Sequence, residues 1–243
     1  MERLGSERVL VGLSLSTSVA LAWLYLWREA AAMHSGMAMG MAASMALLFA
    51  MWAVMMAGMM LPSAAPAILL YGTLVRRHAE HGRALPAAWV FTAGYLLAWT
   101  VFSAVAALLQ AVLQHYALLD PMMASSSRPL SALLLAAAGV YQLTPFKDRC
   151  LTRCREPLAF FMTHWRPGAA GALRMGMSHG AYCVGCCAAL MLLLFAVGVM
   201  NLRAVAAIAA FVLAEKLLPG GRLTARFAGL ALLALAVATL LQR

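Results

Sequence analysis

A chain that repeatedly runs for about 20 residues with almost no charge has very few folds open to it. Apolar runs recur here near 9–27, 44–71, 87–113, 129–145, 178–200, 203–218 and 223–241. Pro86 opens the third, Pro129 the fourth, and Pro219-Gly220-Gly221 separates the last two, as helix starters and breakers do. Period-2 alternation is missing throughout. In lipid a helix satisfies its backbone hydrogen bonds internally. The reading is therefore an all-α polytopic transmembrane helical bundle of about seven spans (six to seven), forming a single integral membrane domain over 1–243. The fourth and sixth runs are short, which makes one of them a candidate for a tilted, broken or re-entrant segment. With 65% hydrophobic and 11% charged residues, too little polar surface is available for a water-soluble globular enzyme.

The formal charge of +10 from 18 Lys+Arg and 8 Asp+Glu would suggest nucleic acid in a soluble protein. Here its distribution matters more. With the N-terminus inside, the inner segments hold Arg3 and Arg8, then Arg76, Arg77 and Arg83. They also hold the basic residues from Lys147 to Arg174, and finally Lys216, Arg222 and Arg226. Only Arg28, Arg128, Arg203 and Arg243 lie outside. This asymmetry is an orientation signal, with no nucleic-acid partner required. Anionic lipid heads are the expected partners of the cluster at 147–155. Ala30-Ala31-Ala32 also fits a signal-peptidase site, so residues 1–32 have a cleaved reading. The long apolar stretch, with Trp23 and Trp27 as an interfacial belt, favours an uncleaved helix.

Ten of the 18 Met lie between positions 33 and 60. The segment 28–43 carries His34, Met37 and Met41 in a run of small uncharged residues outside the second span. Thioethers are soft ligands that favour Cu(I) and need no deprotonation. Inside the span, Met55/Met59 and Met56/Met60 are spaced four apart, which stacks each pair on one helix face. Pro62 and Pro66 follow and are expected to interrupt the helix, freeing carbonyls at that depth. Any single Met also reads as packing, since Met fills irregular gaps in bundles. Burial does not account for the segment outside the span.

Cys183, Cys186 and Cys187 stand at i, i+3 and i+4, with His179 one turn earlier. All four can share one helix direction, and three thiolates with an imidazole match Cu(I) or Zn(II) in ligand type. Cys150 and Cys154, four apart, fall in the basic segment 146–177. That places all five Cys at or near the cytoplasmic face, where thiols stay reduced, although small thiols also serve as membrane packing. His78, His81 and His164 lie in basic loops and read as solvated, and His115 is near the outer end of the third span. Glu215-Lys216 reads as a snorkelling interfacial pair, with a functional intramembrane carboxylate as the alternative. Tyr141 and Gln142 form a polar patch with no evident partner. Hydrolytic motifs are absent.

Several runs carry a family resemblance: Met55-Met56-Ala57-Gly58-Met59-Met60-Leu61-Pro62-Ser63-Ala64-Ala65-Pro66, Tyr141-Gln142-Leu143-Thr144-Pro145 with Cys150 and Cys154, and Cys183-Val184-Gly185-Cys186-Cys187. Phe195–Asn201 and Ala214-Glu215-Lys216-Leu217-Leu218-Pro219-Gly220 complete the set. Together, over about 45–221, they resemble the bacterial domain-of-unknown-function 2182 family, described as predicted metal-binding integral membrane proteins. The resemblance implies a membrane location and a metal, and no reaction. In that family a His often precedes the first Cys of the third motif; here Tyr182 stands there, and His179 lies three residues earlier.

The expected function is copper(I) uptake, relay or delivery across the inner membrane by a multi-pass, metal-binding protein that need not be an enzyme. Weak exchangeable thioethers outside and tighter thiolates inside make an inward affinity gradient. Zinc is the alternative ion. A metallochaperone or metalloenzyme is the expected partner, and small-residue faces at 132–139 and 204–210 allow a homo-oligomer. The rival is a thiol-redox protein passing electrons through the Cys-x-x-Cys pair. A third reading is an assembly subunit for a membrane metalloenzyme.

Overall fold

The computed structural model describes residues 2–34, 44–78, 84–120 and 123–241. Among them the chain is helical and contains no strand. The order is α1 (Glu2–His34), α2 (Met45–His78), α3 (Ala84–His115), α4 (Arg128–Gln142), α5 (Pro145–Arg155), α6 (Pro157–His164), α7 (Gly168–Leu192), the single turn α8 (Leu194–Val197), α9 (Leu202–Leu217) and α10 (Gly221–Leu241). Five stretches are long and apolar enough to cross a membrane: Val9–Ala32, Met45–Arg76, Ala87–His115, Gly168–Val197 and Gly221–Leu241. The chain is thus a multi-pass membrane protein. Large apolar side chains such as Leu21, Val101, Val105, Leu133, Leu230 and Leu240 point outward, as a lipid-facing surface requires.

The two short runs behave differently from full spans. The fourth breaks at Leu143-Thr144, and α4 meets α5 at 66°; counted as one bent span, the pair makes a sixth crossing. Chemistry at the break explains the bend. Thr144 caps α5 by accepting from the Lys147 amide at 3.3 Å, and Pro145 occupies the first turn, where its missing N–H costs nothing. The sixth run, α9, has 16 residues. At 1.5 Å per residue that is about 24 Å, short of a hydrocarbon core of about 30 Å.

Two expectations need correction. α2 runs through Pro62 and Pro66 without interruption. Membrane helices tolerate proline inside a packed bundle, and near these prolines the Ser63 and Tyr95 hydroxyls both donate to the Met60 carbonyl, at 2.9 and 3.3 Å. His164, expected in a basic loop, instead ends a helix within the basic segment 146–177. That segment folds into α5, α6 and the start of α7, and α5 buries Lys147, Cys150, Leu151 and Cys154 on one face.

Close helix packing sets the position of α7. Gly94 of α3 and Gly176 of α7 each face backbone of the other helix, and a Cβ on either would collide with the Leu173 or Phe91 carbonyl. Small residues let the two backbones touch, which brings the Cys-bearing stretch of α7 against α3. The 132–139 face likewise meets α10, with Gly139 and Gly229 packed against each other. The centre is filled by buried rings, among them Phe91, Tyr95, Trp99 and Trp52; Trp52 also donates to Gln110 at 2.6 Å.

Candidate metal centre

Helical spacing places the Cys183, Cys186 and Cys187 sulfurs on one face of α7, all within 4.8 Å of one another and all buried. The Cys186 and Cys187 thiols donate to the Cys183 carbonyl at 3.1 and 2.9 Å, which turns both toward the same point. Two further sulfurs arrive from other helices. Cys154 of α5 stands 3.9 Å from Cys186, and Met60 of α2 stands 3.8 Å from Cys187. Met55, Met56 and Met59 are equally buried in the same core, while Met60 makes the sulfur contact with the thiols. All five Cys are free. Four thiols and a thioether from three helices are a soft donor set, suited to Cu(I) and also able to hold Zn(II) through the thiols.

His179 is buried one turn before Cys183, with its ring against Phe91, Tyr95 and Phe160. Its Nδ1 has no hydrogen-bond partner, and the close group of donor atoms comprises the three thiols without this imidazole. Cys150 and Cys154 part company. Cys154 joins the cluster, whereas Cys150 packs on Gly185, where a Cβ would stand 2.8 Å from its sulfur. That contact gives the glycine of Cys-Val-Gly-Cys-Cys a physical reason. His34 ends α1 with its side chain outside the described set, and Met37 and Met41 lie outside the described residues. His164 is exposed and stacks on Phe160 at 4.9 Å, and His115 is exposed at the end of α3.

Reading Glu215-Lys216 as a snorkelling interfacial pair is wrong. Both are buried, and they face different neighbours. Glu215 bonds Lys147 at 2.8 and 2.9 Å and accepts from Gln142 at 3.3 Å; Lys147 also donates to Gln142. Lys216 instead reaches the Cys183 sulfur at 2.8 Å and the Ser63 hydroxyl at 2.9 Å. The Tyr95 hydroxyl lies 3.0 Å from that same sulfur. Tyr141, whose partner was not evident, donates to the Gly185 carbonyl. Lys216 and Tyr95 were missed as neighbours of the thiols. Their sequence distances from Cys183 hide a contact that only helix packing creates.

Against this geometry, the sequence model of a family described as PpoB2, copper chaperone, matches residues 49–239. The chain belongs to the PpoB2 copper chaperone family. No curated protein and no solved structure matches the chain. The family match is copper-related, where the resemblance to the 2182 family implied only a metal. Its span includes every Cys, Met55 to Met60 and Lys216, and begins after His34, Met37 and Met41. The matched residues therefore take in the buried sulfur cluster and not the Met/His segment.

Proposed function

We propose that this membrane protein binds Cu(I) as cargo at Cys183, Cys186 and Cys187, with Cys154 and Met60 as further ligands and His179 in reserve. The carrying observation is the sulfur contact between Cys187 and Met60. It joins the thiols of α7 to the thioethers of α2 in one buried cluster. Soft thioethers beside thiolates favour Cu(I) over zinc. With the N-terminus inside the inner membrane, as the basic residues favour, the segment 28–43 with His34, Met37 and Met41 collects the ion outside. Met55, Met56 and Met59 lead it inward to Met60 and the thiols. Cys150 and Cys154 lie on the inner side of this route, where a metallochaperone or metalloenzyme would take delivery. The protein acts as one integral membrane domain, its family-like core over about 45–221, in keeping with the resemblance to the 2182 family.

The test is elemental analysis of protein purified from copper-supplemented cells, beside a variant with Cys183, Cys186 and Cys187 replaced by Ser. Copper in the native protein and its loss in the variant are expected. Equal copper or Ag(I) in both sinks the reading.

A further inference from the structure

The charges at the end of α9 do not balance in the same way. Glu215 is engaged by Lys147 and Gln142, so that pair closes on itself. Lys216, 7% exposed, has an ammonium that bonds a neutral hydroxyl, Ser63, and the Cys183 sulfur. The Tyr95 phenol at the same sulfur is neutral too. A buried ammonium needs a counter-charge, and the Cys183 sulfur, 2.8 Å away, stands where one would form. Arg153 and Arg155 are turned elsewhere, to the Tyr182 hydroxyl and to the Glu215 and Leu218 carbonyls.

We propose that Lys216 determines the specificity of the centre for a monovalent soft ion over a divalent one. This rests on the copper reading of the same cluster. A fixed positive charge repels a divalent ion with twice the energy it exerts on a monovalent ion, and the buried surroundings strengthen the difference. The charge count agrees. Cys183, 2.8 Å from Lys216, and a second thiol each lose a proton to water as the ion binds. A monovalent ion on two thiolates carries one negative charge, which Lys216 neutralises. A divalent ion on the same two thiolates leaves the ammonium uncompensated, and must ionise a third buried thiol to restore neutrality. Nothing in the spacing of the Cys motif provides this discrimination, because Lys216 arrives from α9.

The experiment compares Ag(I) with Cd(II), two soft ions that differ in charge, on the full chain in detergent. Lys216→Gln removes the charge and keeps a group able to bond Ser63. Ser63→Asp leaves Lys216 in place and cancels its charge. Both are expected to lower the Ag(I)-to-Cd(II) affinity ratio by about tenfold or more, while Lys216→Arg, which keeps the charge, retains the native ratio. A purely structural lysine would change both affinities together and leave the ratio alone. An unchanged ratio in Lys216→Gln overturns the inference; if that variant does not fold, an unchanged ratio in Ser63→Asp overturns it. Native protein that binds Ag(I) with an indifferent ratio sinks only the role of Lys216. Native protein that binds no Ag(I) sinks the copper reading and this inference together.

Discussion

Two adjacent residues at the end of α9 face two polar clusters of opposite character. Glu215 enters a cluster with Lys147 and Gln142 in which every charge has its partner within the chain. Lys216 enters a cluster of sulfurs whose charge is open to change. The first is a structural lock between α4, α5 and α9. The second can exchange cargo, because thiols gain or lose charge as a metal comes and goes. One turn of helix thus serves both stability and binding, and the two can be separated by substitution.

The sharpest break in this contrast is the Cys183/Cys186/Cys187→Ser variant. All copper is expected to be lost from the purified protein, while helical content by circular dichroism stays native. If the helices melt as well, the sulfur cluster is part of the structural lock and the contrast fails. On the other side, Lys147→Met strands Glu215 in the interior and should cost about 3–5 kcal/mol of stability, read from denaturation in detergent. Adding Glu215→Leu should recover most of that loss, since no charge is then left unpaired. Recovery must come without any change in metal stoichiometry, or the two clusters are not independent.

Met60→Leu sharpens the sulfur side. The swap nearly conserves volume and should cost less than about 1.5 kcal/mol. Cu(I) affinity should nevertheless fall by about tenfold, the weight of one soft ligand, with Zn(II) affinity little changed, in a competition assay. The smallest effect is expected at Cys150→Ser. This sulfur packs on Gly185 and not on the triad, so metal content should match the native protein, whereas Cys154→Ser should weaken retention. Equal effects at the two positions would show that α5 presents both thiols to the metal.

The apolar runs located all five membrane-length helices, because a span must be long and uncharged wherever it lies in the bundle, and missed α5 and α6 in the basic segment. The fourth and sixth runs were marked as short, one of them a candidate for a broken segment; the fourth is α4 of the bent α4–α5 pair and the sixth is the 16-residue α9. Cys183, Cys186 and Cys187 were legible as a group, since three positions within two turns of one helix share a face whatever surrounds them. Cys154, Met60, Tyr95 and Lys216 belong to other helices, and their approach to the thiols had no local signature. The same gap explains why Tyr141 and Gln142 had no evident role. In each case the partners that satisfy the side chain come from elsewhere in the chain.

By itself, the sequence determined a membrane-embedded helical protein with thiols at i, i+3 and i+4 and thioethers at i and i+4, because hydrophobic length and helical period are properties of one segment. Only the tertiary structure decided that Cys154 joins the triad and Cys150 does not, that Glu215 is locked to Lys147, and that Lys216 faces Cys183. Those outcomes depend on how closely glycine-bearing helices approach and on how buried charges find partners, and neither is a property of any one segment.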